Sequence, residues 1–102
     1  IDTVSNTNIL GDVQAGLNAI IRTSGGNLTI SKPIQGGPLV RLEASELLSI
    51  NANVSAIAAN SDLFLNGGSV AITGNVGANR NVSIHAATGN ITANGNLVAV
   101  NE

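Results

Sequence analysis

Few residues in this 102-residue chain have the types needed for acid–base or metal chemistry. There is one histidine, His85, and there are six carboxylates: Asp2, Asp12, Glu43, Glu46, Asp62 and Glu102. Cleaving a glycosidic bond needs two acids flanking one bond, or a base positioned beside a carboxylate. Here the acids are spread along the sequence and His85 has no carboxylate close to it. The absence of Cys removes thiolate nucleophiles, disulfides and thiolate metal sites. Calcium-binding repeats of the Gly-Gly-x-Gly-x-Asp type are missing as well. The reading is a non-enzymatic chain with no cofactor and no metal.

Four Asn-x-Ser/Thr triplets, at Asn27, Asn53, Asn81 and Asn90, are candidate sites for an N-linked glycan. A corner Asn, an inward aliphatic and an outward hydroxyl also produce this triplet automatically in an Asn-rich repeat. Phe64, the one aromatic residue, lies between Leu63 and Leu65 and is expected to face outward and mark a contact with a neighbouring chain or loop.

These residues must be positioned by a repeat of about 21 residues. Ile21, Leu42, Leu63 and Ile84 keep that spacing, as do, within one residue, Val13, Ile34, Val54, Val76 and Leu97. A third row runs through Leu10, Ile30, Ile50, Ile72 and Ala93. A period in the twenties marks a solenoid, whose repeats bury their apolar sides only against their neighbours. Apolar residues pair at i and i+2, as in Leu28 and Ile30, Leu48 and Ile50, and Val70 and Ile72. That is the period of a strand with one buried face. The expected fold is therefore all-β: a parallel β-helix (β-solenoid) of triangular coils. It is expected to be right-handed, from the general rule for parallel crossovers. Its structural core would include Ile30, Leu42, Ile50, Leu63, Ile72, Ile84 and Ile91.

The corners repeat too. Asn53, Asn75 and Asn96 fall at one, and Asn18, Asn60 and Asn81 at another, so stacked Asn ladders are expected there. The outward rows then read Ile20, Arg41, Asp62, Ser83 and Arg22, Glu43, Phe64, His85, which sets Arg22 beside Glu43 and Arg41 beside Asp62. Residues 42–50 also have local helical character. The whole of 1–102 reads as one solenoid segment of nearly five coils with an irregular start at 1–8.

Composition agrees with narrow stacked layers. The chain is 43% apolar, yet it has no Met, Trp, Tyr or Cys, so Val, Ile, Leu and Ala must fill the interior. It has 12 Gly, and Asn is abundant; both suit turns. A net charge of −2 offers no attraction to a phosphate backbone, so no nucleic-acid partner is expected. No apolar run is long enough to span a membrane. The start at Ile1 reads as an excised piece of something longer.

Residues Gly25-Gly26-Asn27-Leu28-Thr29-Ile30, Gly68-Ser69-Val70-Ala71-Ile72-Thr73, Gly89-Asn90-Ile91-Thr92-Ala93 and Gly95-Asn96-Leu97 resemble the repeat region of filamentous haemagglutinin-like exoproteins. These adhesins and haemolysins are exported by two-partner secretion in Gram-negative bacteria. The resemblance covers most of residues 25–100 and implies part of a long extracellular shaft at the cell surface. Members of that family lack cysteine, as this chain does. The Asn-Pro motifs of the family's amino-terminal secretion domain are absent.

The expected role is a stiff, non-catalytic segment of an extracellular adhesin or fibre. Its expected partners are flanking coils of a longer chain or identical copies, with a host-surface or glycan receptor. A self-assembling subunit stacked head to tail is the alternative. A carbohydrate- or ice-binding face of Thr, Ser and Asn is a further one.

Overall fold

The computed structural model describes residues 2–3, 5–11, 13–14 and 16–99. Among these there are fifteen β-strands and no helix. The strands fall into three parallel sheets, each five strands deep. Sheet A contains β1 (Asp2–Thr3), β4 (Asn18–Thr23), β7 (Leu39–Ala44), β10 (Asp62–Gly67) and β13 (Asn81–Ala86). Sheet B contains β2 (Thr7–Ile9), β5 (Leu28–Ile30), β8 (Leu47–Ile50), β11 (Ser69–Ile72) and β14 (Ile91–Ala93). Sheet C contains β3 (Val13–Gln14), β6 (Ile34–Gly36), β9 (Val54–Ala56), β12 (Val76–Ala78) and β15 (Leu97–Ala99). The chain visits A, B and C in turn and then climbs to the next layer, which is a β-solenoid.

Alternation drives each strand. In β4 the residues at 19, 21 and 23 are buried while those at 18, 20 and 22 face solvent. The inward residues stack into columns along the axis. On sheet B, Leu28, Leu48, Val70 and Ile91 are register partners in succession, as are Ile9, Ile30, Ile50, Ile72 and Ala93. On sheet C, Val13, Ile34, Val54, Val76 and Leu97 form the column. One continuous aliphatic core results. No aromatic side chain belongs to it; Ile, Leu, Val and Ala alone fill the space between the three sheets.

Five of the expected core residues, Ile30, Leu42, Ile50, Leu63 and Ile72, have no exposed surface. Ile84 is only half-buried and Ile91 is 48% exposed. Both lie on edge strands, β13 and β14, where no further described coil covers the inward side. Ile9, not Leu10, occupies the first position of its column; Leu10 points outward. A one-residue slip reverses the face of a strand residue, so an approximate 21-residue count misplaces Leu10.

The constant spacing through residue 63 does not give the true register on sheet A. Ile21 pairs with Leu42, Leu42 with Leu65, and Leu65 with Ile84, whereas Leu63 stands between Val40 and Val82. The cause is a wide corner. Residues 57–61 connect β9 to β10, but only residues 37–38 and 79–80 connect β6 to β7 and β12 to β13. Ser61 organises this corner from inside. Its buried hydroxyl donates to Ala56 O at 2.8 Å and accepts from Asn79 N–H at 2.9 Å. Asn79 Nδ2 donates to Ile57 O and Ala58 O at 3.1 and 3.0 Å.

Two further expectations change. Residues 42–50 are not helical; they end β7 and form β8, because Leu42, Ala44, Leu48 and Ile50 each take an inward place in the coil. The segment 1–8, expected to be irregular, already contributes β1 and the start of β2, and β2 pairs with β5.

Candidate functional site

Function in a solenoid resides on its outward faces, corners and ends. The most varied outward face belongs to sheet A. There the wide corner rearranges the expected neighbours. Arg22 does stand beside Glu43, but Arg41 stands beside Phe64, and Asp62 beside Leu39 and Asn81. Phe64 therefore leaves the row of His85, and Asn66 takes its place between Glu43 and His85.

Phe64 faces outward and is half-buried, with the Arg41 guanidinium carbon 5.3 Å from its ring centroid. A cation over an aromatic face is attracted by the ring quadrupole. The ring is therefore partly covered by its own coil neighbour rather than standing free. One step along the strand, Asn66 Nδ2 donates to Glu43 Oε2 at 3.2 Å. One step the other way, Arg80 holds Asp62 with two bonds, Nε to Oδ1 at 2.9 Å and Nη2 to Oδ2 at 2.7 Å. Asn81 Nδ2 adds a third to Oδ1 at 3.2 Å. The hydrogen bond from Arg80, and then its charge, hold the Asp62 carboxyl below its ordinary value despite some desolvation. The same bond raises the Arg80 guanidinium. Arg80 is exposed, so solvent screens much of this attraction.

The Asn ladder at 53, 75 and 96 is present, in a particular form. Asn53 Oδ1 accepts from the backbone N–H of Asn75 at 3.0 Å, and Asn75 Oδ1 accepts from that of Asn96 at 3.1 Å. Each side chain thus satisfies a corner amide of the next coil. Asn27 does the same between Asn6 and Leu47: its N–H donates to Asn6 Oδ1, and its Oδ1 accepts from Leu47 N–H at 3.0 Å. The other expected ladder fails at Asn60, which lies within the wide corner; Asp62 fills its row beside Asn81.

The four sequon asparagines differ. Asn27 is half-buried, whereas Asn53, Asn81 and Asn90 are exposed. Asn81 uses its amide nitrogen on Asp62. On the sheet B face the row Asn8, Thr29, Ser49, Ala71, Thr92 is in register. Ala71 interrupts its polar groups. In the adjoining row Thr73 Oγ1 donates to Asn51 Oδ1 at 3.1 Å, so those groups bond to each other.

Sequence reasoning did not find Ser61, Asn79 or Arg80. Ser61 is fully buried and polar in an apolar coil, which only its corner geometry explains. The Asp62–Arg80 pair required the register shift to be known. Among the described residues no three His, Asp or Glu side chains group as a metal site, and no helix is long and apolar enough to cross a membrane.

Parallel coils of about 21 residues, a continuous aliphatic core and corner amide ladders define the chain as a β-solenoid. No family model, curated protein or solved structure matches it.

Proposed function

We propose that this chain is a stiff, non-catalytic segment of an extracellular shaft, like those of the filamentous haemagglutinin-like exoproteins of Gram-negative bacteria. The observation that carries this reading is the alignment of all three backbone ladders and one aliphatic column along a single axis. Every layer is bonded to the next on three sides, so bending the rod means opening several hydrogen bonds at once. Flanking coils would continue the ladders, and a host-surface or glycan receptor would be engaged at some point along the shaft. The test is to hold the chain between handles and extend it by single-molecule force spectroscopy. A shaft segment should yield in a ladder of small steps, each releasing about one coil. A single collapse at low force would count against the proposal.

A second reading, head-to-tail self-assembly, is favoured by the exposed inward side chains at one end. Ile91 is 48% exposed and Leu97 44% exposed, on strands whose outer edges have no described partner. Unpaired strand edges are templates for further pairing. Negative-stain electron microscopy across a range of concentrations separates the readings: fibres one coil wide support assembly, and separate particles support a spacer.

A further inference from the structure

Two Asn-Gly pairs occur in the chain, Asn66-Gly67 and Asn94-Gly95. Their surroundings are opposite. Asn66 and Gly67 are the last two residues of β10, in register with His85 and Ala86 of β13. The Asn66 side chain is half-buried and donates to Glu43, which holds the group away from its own backbone. Asn94 and Gly95 lie between β14 and β15 at an edge corner, and the Asn94 side chain is exposed. The Asn94 N–H donates to Ile72 O at 2.8 Å, but no described residue accepts from Gly95 N–H. One coil below, the equivalent Gly74 N–H donates to Ile50 O at 3.4 Å.

We propose that Asn94-Gly95 is a site of spontaneous backbone modification, at which the side-chain amide of Asn94 is replaced by a carboxylate. The Gly95 nitrogen, after losing its proton to solvent base, attacks Asn94 Cγ. The N–Cγ bond forms, the Cγ–Nδ2 bond breaks, and ammonia leaves with a proton taken from water. Water then opens the five-membered succinimide. Attack at Cγ gives aspartate; attack at the backbone carbonyl carbon gives isoaspartate, in which the main chain runs through the former side chain. Glycine at 95 matters twice. It lets the nitrogen approach without a Cβ in the way, and its backbone lies so close to Gly74 O that no side chain would fit. The isoaspartate product adds one atom to the main chain between β14 and β15. It displaces Asn96, whose N–H is held by Asn75 Oδ1, and so loosens the pairing of β15 with β12.

The experiment incubates the full chain at mildly alkaline pH, folded and in concentrated urea, and follows both sites by peptide mapping. Isoaspartyl methyltransferase serves as the probe for isoaspartate. In the folded chain Asn94 should gain about one mass unit at least roughly tenfold faster than Asn66, since a strand residue reacts only after local opening. In urea the two sites should converge. Asn94→Gln should abolish the folded-state product. Equal rates at the two sites in the folded chain, or an unchanged Asn94 in the folded chain when it reacts in urea, would overturn the proposal.

Discussion

Leu42 and Leu65 are register partners on β7 and β10, and neither has any exposed surface. Relative to a strict 21-residue step the pairing is displaced by two. An even displacement leaves every side chain on its own face. The column survives, and the surplus length is gathered in the corner at 57–61. Removing residues 58–60 should therefore leave the register intact, because the corner then matches its two-residue counterparts at 37–38 and 79–80. The expected cost is about 1 kcal/mol for each of the two bonds that leave with Ala58, from Asn79 Nδ2 to its carbonyl and from its N–H to Gly37 O. A thermal melt followed by circular dichroism checks this; loss of a cooperative transition would show that the corner itself sets the register.

The hydroxyl of Ser61 should matter more than the length of its loop. Ser61→Ala leaves the Ala56 carbonyl and the Asn79 amide without the partner they now share. An unsatisfied buried group costs about 1–3 kcal/mol. Urea titration should show a lower midpoint with an unchanged slope.

Depth in the column should rank the core substitutions. Leu63→Ala, at a site with no exposure, should cost about 2–5 kcal/mol. Leu63→Asp should be worse still, since it buries an unpaired charge. Ile91→Ala, at the open edge, should cost less than about 1 kcal/mol in the same urea assay, because much of that side chain already meets water. Equal losses at the two sites would contradict the burial pattern.

Asn75 both donates to the ladder and accepts from it. Asn75→Ala removes one acceptor, that for Asn96 N–H, and should cost about 0.5–1.5 kcal/mol. Asn75→Asp keeps an oxygen in place and should retain most of that stability. Hydrogen exchange at the Asn96 amide should quicken in the first variant and not in the second.

Acid should weaken the sheet A face in a defined direction. The Asp62 carboxyl is held below its ordinary value in the fold, so its contribution is complete above the unfolded value of 3.8. It fades as pH falls from there through the lower folded value. Asp62→Asn should flatten this part of the stability–pH curve and leave the curve near neutral pH almost parallel to the parent's. High salt should shrink the difference, since Arg80 is exposed.

Strand identity was legible because burial in a solenoid writes alternation directly into the sequence. Leu28 and Ile30, or Val70 and Ile72, announce both a strand and its inward face. Corner asparagines were legible for a similar reason: Asn53, Asn75 and Asn96 recur where a side-chain oxygen must meet the next amide. Register on sheet A was not, because a corner is solvated on its outer side and tolerates extra residues at little cost. Ala58, Ala59 and Asn60 give no strand alternation that sets them apart as a corner, so a strict 21-residue count places Asp62 beside Arg41, where Phe64 stands, and misses that Asp62 meets Arg80. Edge effects were illegible as well. Ile91 has the residue type and spacing of a core position, and only its place on the outermost described rung exposes it.

The ladders carry a kinetic consequence. Each strand from β4 onward meets a partner about one coil back in the chain, as Leu28 meets Thr7. Closing a coil therefore fixes a loop of nearly constant length, and the entropy cost of that closure does not grow as layers are added. Ordering can pass from one layer to the next, each completed layer serving as the template for its successor. A chain built this way can begin to order at any completed layer, before its far end is present.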